Sequence, residues 1–169
     1  MQQSIQFDID LINRYDKAGP RYTSYPTALE FHEGFAAEDY QQQISLSNER
    51  GGPLSLYFHL PFCDTVCYYC ACNKIITKNR QHAGPYLQNM HREIAKLGAM
   101  FDKKRVVDQL HWGGGTPTFL NVEQMQALMD VTRQHFNLRD DDRGEYSIEI
   151  DPREAHEETI QQLRSLGFN

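Results

Sequence analysis

The sequence lacks a long apolar run and an excess of basic residues, and each absence excludes a class of protein. No stretch of the 169 residues approaches the about 20 consecutive apolar residues that a membrane-spanning helix needs. Lysine and arginine number 17 against 23 aspartates and glutamates, and the net charge of −6 argues against nucleic acid as the main partner. The opening residues, MQQSIQFDIDLINRYD, lack the apolar core with basic flanks of a secretory signal. We therefore expect a cytoplasmic protein with no membrane span.

Cysteine is also scarce, and its four copies are confined to ten residues. They form the run C-D-T-V-C-Y-Y-C-A-C, at Cys63, Cys67, Cys70 and Cys72. Because cytoplasmic thiols stay reduced, a zinc site or an iron–sulfur site is expected rather than a disulfide framework. Structural zinc sites usually pair two cysteine knuckles across a longer spacer, and this sequence has no second knuckle. The compact loop therefore favours an iron–sulfur cluster held by three thiolates, with zinc as the alternative.

Hydrophobic periodicity predicts three strand–helix units after an N-terminal extension. The predicted strands are residues 53–60, 106–112 and 146–150, and the predicted helices are 86–101, 122–136 and 154–166. The extension, residues 1–52, contains helix candidates at 8–15 and 36–46 and an irregular segment at 19–31. Alternating strands and helices predict a parallel sheet with right-handed crossovers.

The predicted strands have one apolar face and one polar face. In the first strand Leu56 and Phe58 alternate with Ser55, Tyr57 and His59. Parallel strands that are buried on both faces usually form continuous apolar runs, so a polar face indicates a lumen or a binding cleft. We therefore predict part of a barrel rather than a doubly wound sheet.

Chemically distinctive segments follow the carboxyl end of each predicted strand. The cysteine run follows the first strand, the glycine run from Gly113 to Gly115 with Thr116 follows the second, and Glu149 lies at the end of the third. The glycine run lacks the G-K-[ST] ending of a phosphate loop, so we interpret it as backbone that can approach a ligand closely. Active sites of barrel enzymes lie at this end of the strands.

Five segments together carry a resemblance to a known family. They are GPRYTSYPTA, LYFHLPFC, CYYCACNK, LHWGGGTPT and SIEIDPRE. With them the chain, from about Asn13 to its last residue, resembles radical S-adenosylmethionine (SAM) enzymes, and among these the oxygen-independent coproporphyrinogen III dehydrogenases. The resemblance implies the first half, about three β/α units, of a partial radical SAM (β/α)6 barrel over residues 53–169.

The same resemblance implies the cofactors and their ligands. A [4Fe-4S] cluster is expected on Cys63, Cys67 and Cys70, with SAM on the fourth iron, whereas Cys72 is an additional cysteine that is not a ligand. Contacts to this SAM are expected from Tyr57, Gly114 and Glu149. Contacts to a second SAM are expected from Tyr69, Gly115 and Thr116.

The implied reaction is the oxidative decarboxylation of two propionates of coproporphyrinogen III to vinyl groups, which gives protoporphyrinogen IX. Reductive cleavage of SAM supplies the radical that removes a hydrogen from the propionate, and a flavodoxin or ferredoxin is the expected electron donor. By charge alone, Arg21, Lys74 and Lys78 are candidates for binding the substrate carboxylates, with ordinary surface charges as the alternative.

Two further expectations follow from the resemblance. A radical-SAM-like heme chaperone is the alternative function, and the presence of Cys72 and of PRYTSYPT favours the enzyme.

The family uses about twice as many strand–helix units and a C-terminal domain. We therefore expect these 169 residues to be the N-terminal part of an enzyme, and to be inactive in decarboxylation by themselves.

Overall fold

The computed structural model describes residues 7–17, 27–153 and 155–169, and the chain forms two compact units, Met1–Ala36 and Ala37–Asn169. In the first unit, α1 (Ile9–Tyr15) begins after Asp8, whose carboxylate accepts a hydrogen bond from the Leu11 backbone amide at 2.9 Å. A short 3-10 turn follows at Ala28–Glu30. Residues 19–26 of the predicted irregular segment, which include Arg21 and all of PRYTSYPT except Thr27, lie outside the described residues.

The second unit contains the three predicted strand–helix units. It begins with α2 (Ala37–Arg50), which runs four residues further than the predicted helix and stops at Gly51, where φ is 68°. The other elements are β1 (Leu54–Leu60), β2 (Phe62–Cys63), β3 (Ile75–Ile76), α3 (Ala83–Met100), β4 (Val106–Gly114), α4 (Val122–His135), β5 (Asn137–Leu138), β6 (Glu145–Ile148) and α5 (Glu157–Leu166).

The main sheet is parallel, and β4 is its central strand. β1 pairs with one edge of β4, and the short β5 and then β6 pair with the other edge. β4 continues two residues beyond its predicted end, because Gly113 and Gly114 pair with the last two residues of β1. The third strand is shorter than predicted, although the Glu149 amide still donates to the Trp112 carbonyl at 2.9 Å.

One face of this sheet carries the hydrophobic core. Leu60, Leu110 and Trp112 are almost fully buried there, and Leu128 and Met129 of α4 pack against the same cluster. Ser55 and Tyr57 on the opposite face are exposed, as the alternation of β1 predicts. The polar sheet face is therefore confirmed.

Helix ends follow the local sequence signals. Asn121 and Gln124 form a capping box at the start of α4, with side-chain to backbone bonds in both directions at 2.8 and 3.1 Å. Gly167 ends α5 in the left-handed conformation, with φ of 105°. The start of α5 was predicted too early, because His156 has an extended backbone and the helix begins only after it, at Glu157.

None of the helices in the described part of the chain has the length and apolar content to cross a membrane.

Tyr146 links β6 to β4 and is a direct probe of the fold. Its hydroxyl donates to the Val107 carbonyl at 2.9 Å and accepts from the Arg139 amide at 2.6 Å, and its ring is buried. Tyr146→Phe keeps the ring and removes both hydrogen bonds. We expect the free energy of unfolding to fall by about 1–3 kcal/mol in urea denaturation at neutral pH.

The same variant is expected to change the pH dependence of stability. Burial raises the pKa of the Tyr146 phenol above its ordinary value of 10.0. The folded chain therefore holds this proton more tightly than the unfolded chain, and the resulting stabilisation is present below about pH 10 and lost as the pH rises through the folded pKa. The stability gap between the wild type and Tyr146→Phe should narrow above about pH 10, and a constant gap would contradict this.

Candidate functional site

A cavity of about 500 Å³ lies at the carboxyl ends of β1, β4 and β6. All the predicted cluster ligands and SAM contacts line it, apart from Tyr57. Its lining includes Cys63, Cys67, Tyr69, Cys70, Cys72, Gly114, Gly115, Thr116 and Glu149. The three segments that the sequence marks after three different strands therefore meet at one place.

The two ends of the cysteine loop are held together by the pairing of two short strands, β2 and β3. β2 and β3 pair in parallel, so that Cys63 lies opposite Ile76, and the Thr77 amide donates to the Cys63 carbonyl at 2.9 Å. Asp64 accepts a hydrogen bond from Arg80 at 2.7 Å. Within the loop, the Lys74 ammonium donates to the carbonyls of Cys70 and Cys72, both at 3.3 Å. The loop is therefore held in place by contacts that leave the thiols facing the cavity.

The four thiols differ in exposure and in acidity. Cys63 is buried, Cys67 and Cys70 are half-buried, and Cys72 is exposed, and all four are free. The backbone amide of Cys72, with smaller contributions from the Cys72 thiol and Lys74, lowers the pKa of Cys70. The hydrogen bond with Cys70 raises the pKa of Cys72. The four thiols therefore differ most clearly in burial, which is greatest at Cys63 and least at Cys72.

The described residues, 7–17, 27–153 and 155–169, contain no group of three His, Cys, Asp or Glu side chains placed to hold one metal ion.

The glycine run forms a backbone turn above the start of the cysteine loop. The Gly115 amide donates to the Leu60 carbonyl and the Thr116 amide to the Phe62 carbonyl, both at 2.8 Å. Gly114 has φ of 108°, a conformation that favours glycine. The hydroxyl of Thr116 lies 3.6 Å from the Cys63 sulfur. The turn and the loop therefore share a wall of the cavity.

Glu149 is bound to this turn, as its position after the third strand suggested. One of its carboxylate oxygens, Oε2, accepts from the Gly114 amide at 2.8 Å. The other, Oε1, lies 3.8 Å from the Nε2 atom of His111. The carboxylate is half-exposed and borders the cavity, so it can accept hydrogen bonds from a ligand there.

Tyr57 lies on the polar sheet face, beside the cavity rather than in its lining. Its hydroxyl is 3.1 Å from the Nδ1 atom of His59, and its ring stacks on His111 with the centroids 5.7 Å apart. Partial burial, and then the negative charges of Glu149 and Cys72, raise the pKa of the phenol. The phenol is therefore electrostatically coupled to the cavity.

Sequence reasoning missed Arg153. Its guanidinium lies 3.0 Å from the Thr65 hydroxyl and 3.9 Å from the Cys67 sulfur, and it also binds Asp151. Arg153 thus connects the turn after β6 to the cysteine loop. Its position two residues after Asp151 places it near the end of the third strand, but no sequence pattern indicates its partners in the cysteine loop. Of the predicted carboxylate-binding lysines, Lys74 binds loop carbonyls and Lys78 is exposed.

Comparison with known proteins identifies the family. A family model described as the radical SAM superfamily matches residues 57–169. An oxygen-independent coproporphyrinogen III oxidase from Mannheimia haemolytica is 48% identical over 148 residues, which cover 88% of this chain and 98% of the relative. The chain belongs to the radical SAM superfamily, in the oxygen-independent coproporphyrinogen III oxidase family. The family expected from the sequence motifs is thereby confirmed.

Other members of this family match the whole chain. A Pseudomonas aeruginosa protein named oxygen-independent coproporphyrinogen III oxidase is 55% identical over 169 residues, which are 100% of this chain and 37% of the relative. The solved structure of coproporphyrinogen III oxidase from Escherichia coli, described as a radical SAM enzyme, matches with a TM-score of 0.80 and 44% identity. That match covers 99% of this chain and 36% of the solved chain. The α/β fold with parallel strands is thus that of a radical SAM barrel, and the chain spans little more than a third of these relatives.

Proposed function

We propose that this chain binds a [4Fe-4S] cluster and SAM in the cavity at the carboxyl ends of its strands. The observation that carries the proposal is the convergence in this cavity of three loop cysteines, the Gly114–Thr116 backbone and the Glu149 carboxylate. Thiolates are the ligands that iron–sulfur clusters take. The donor set therefore fits the cofactors that the radical SAM family uses.

Cys63, Cys67 and Cys70 are the proposed cluster ligands. Burial supports this choice over Cys72, since Cys63 is buried, Cys67 and Cys70 are half-buried, and Cys72 is exposed at the end of the loop. Arg153 places a guanidinium nitrogen 3.9 Å from the Cys67 sulfur, so the turn after β6 contacts one of the proposed ligands directly. A bound cluster supplies the one-electron reduction of SAM, and the chain orients the reactants and excludes side reactions.

The residues proposed to bind SAM lie around the cysteine loop. Glu149 offers carboxylate oxygens to a cationic group, and the Gly114 backbone lines the same cavity. A Cβ atom at Gly114 would lie 2.5 Å from the His59 ring, so this position has no room for a side chain. Tyr57 lies beside them on the polar face. For a second SAM, Tyr69 presents an aromatic ring that is 91% exposed, and Gly115 and Thr116 lie across the same cavity.

For the complete protein we propose oxidative decarboxylation of two propionates of coproporphyrinogen III, which yields protoporphyrinogen IX. The names of the relatives support this substrate, because they are called coproporphyrinogen III oxidases at 48–55% identity. A flavodoxin or ferredoxin in the cytoplasm is the proposed electron donor. We propose that residues 1–52 form an N-terminal extension and that residues 53–169 form the first half of the barrel. That the 169 residues alone are inactive in decarboxylation stays a prediction.

The test of this function has two stages. Anaerobically reconstituted and reduced protein is first incubated with SAM, and we expect 5′-deoxyadenosine and methionine in a chromatographic assay. Coproporphyrinogen III is then added to the protein at the full length of its relatives, and the loss of two CO₂ is followed by mass spectrometry. Stoichiometric heme binding without decarboxylation would instead favour the heme chaperone.

A further inference from the structure

Three side chains of the polar sheet face lie on one rung across three neighbouring strands. In the parallel register, His111 of β4 lies between Tyr57 of β1 and Ser147 of β6. Its ring stacks on Tyr57 at an interplanar angle of 13°. Its Nδ1 atom is 2.7 Å from the Ser147 hydroxyl. His111 is therefore held on both sides by directly paired residues, one through ring stacking and one through a hydrogen bond.

The opposite ring nitrogen of His111 faces Glu149. When the Ser147 hydroxyl donates to Nδ1, the ring proton resides on Nε2, which is the nitrogen that lies 3.8 Å from Glu149 Oε1. This distance is longer than a hydrogen bond, so the contact is electrostatic. Since Oε2 already accepts from the Gly114 amide at 2.8 Å, the carboxylate lies between a backbone donor and an imidazole.

Gly113 leaves the space in which this arrangement fits. A Cβ atom at this position would lie 2.8 Å from His111 Nε2 and 3.2 Å from the carboxyl carbon of Glu149. Any side chain here would therefore separate the imidazole from the carboxylate. Gly113 thus allows the side chains of His111 and Glu149 to lie close together, whereas Gly114 and Gly115 form the backbone turn.

We infer that His111 is a positioning residue for Glu149, with Ser147 fixing the ring so that Nε2 faces the carboxylate. The inference rests on the proposed role of Glu149 in SAM binding. Neither His111 nor Ser147 lines the cavity, so each acts on SAM indirectly. The route through Glu149 is distinguished by the double variant below from a route through Tyr57, on which the His111 ring stacks. The carboxylate is then held in one orientation before SAM arrives, which reduces the ordering that binding would otherwise require.

Asparagine and glutamine at position 111 distinguish the contact of His111 with Ser147 from its contact with Glu149. Asparagine at position 111 places its amide near Nδ1, where it reaches Ser147 but falls short of Glu149. Glutamine places its amide near Nε2, where it reaches Glu149. The dissociation constant of SAM is measured by equilibrium dialysis on anaerobically reconstituted protein, with iron content and melting temperature recorded for each variant. We expect about tenfold weaker binding for His111→Asn and less than about threefold for His111→Gln.

Two further variants complete the test. Glu149→Gln should weaken SAM binding by about tenfold or more, and His111→Asn should add little to it in the double variant, because both act through one carboxylate. Ser147→Ala keeps the imidazole but removes the hydrogen bond that fixes its orientation, so it should weaken SAM binding in the same direction as His111→Asn. Equal losses for His111→Asn and His111→Gln, or additive losses with Glu149→Gln, would overturn the inference. Unchanged binding in Glu149→Gln would overturn the proposed SAM role of Glu149, and this inference with it.

Discussion

Replacing Cys67 with alanine is expected to abolish uptake of the iron–sulfur cluster, whereas replacing Cys72 is expected to leave it. Cys67 lies in the cavity beside the Arg153 guanidinium, and a cluster held by three thiolates loses a whole iron site with one of them. Cys72 is exposed, and the contact with Cys70 disfavours its thiolate. Iron and sulfide per chain are measured after anaerobic reconstitution.

Cys72→Ala is the matched control, because it also replaces one cysteine of the same ten-residue run with alanine. Circular dichroism on both apo variants separates loss of a ligand from loss of fold. If Cys72→Ala loses as much iron as Cys67→Ala, or if Cys67→Ala retains a full cluster, the ligand assignment is wrong.

A methyl group at Gly115 is expected to destabilise the whole strand end. A Cβ atom there would lie 2.7 Å from the Phe62 carbonyl oxygen and 2.8 Å from that of Leu60, which also accepts the Gly115 amide. Because these neighbours are backbone atoms, they cannot rotate away as a flexible side chain could. We expect Gly115→Ala to lower the free energy of unfolding by about 2–4 kcal/mol in urea denaturation.

Gly84 provides the control for this substitution. It lies in the first turn of α3, and nothing stands within 4 Å of a Cβ atom added there. Gly84→Ala should therefore be neutral or stabilising by up to about 1 kcal/mol. If Gly115→Ala is as stable as Gly84→Ala, the close approach of the glycine turn to the cysteine loop is not the structure in solution.

The sequence predicts the elements and the segments of the site because these depend on local patterns. Period-two alternation in β1 assigns Leu60 to the core and Tyr57 to the polar face, and Asn121 with Gln124 begins α4 as a capping box. The carboxyl ends of parallel strands lie at one edge of a sheet, so the cysteine loop, the glycine turn and Glu149 were expected to meet.

Contacts that depend on side-chain direction could not be predicted in this way. Arg153 reaches the cysteine loop across 86 residues of chain, and charge at one position gives no information about such a partner. The strand periodicity places His111 on the polar face, but its position between Tyr57 and Ser147 follows from the register of three strands. The interpretation of the glycine run was also incomplete, since Gly113 accommodates two side chains of the chain itself.

Metal and sulfide analysis of the anaerobically purified and reconstituted protein decides between an iron–sulfur cluster and zinc on the cysteine loop. We expect about four irons and four sulfides per chain, with the loss of iron in Cys67→Ala. About one zinc per chain, with no sulfide and no iron uptake on reconstitution, would contradict this expectation.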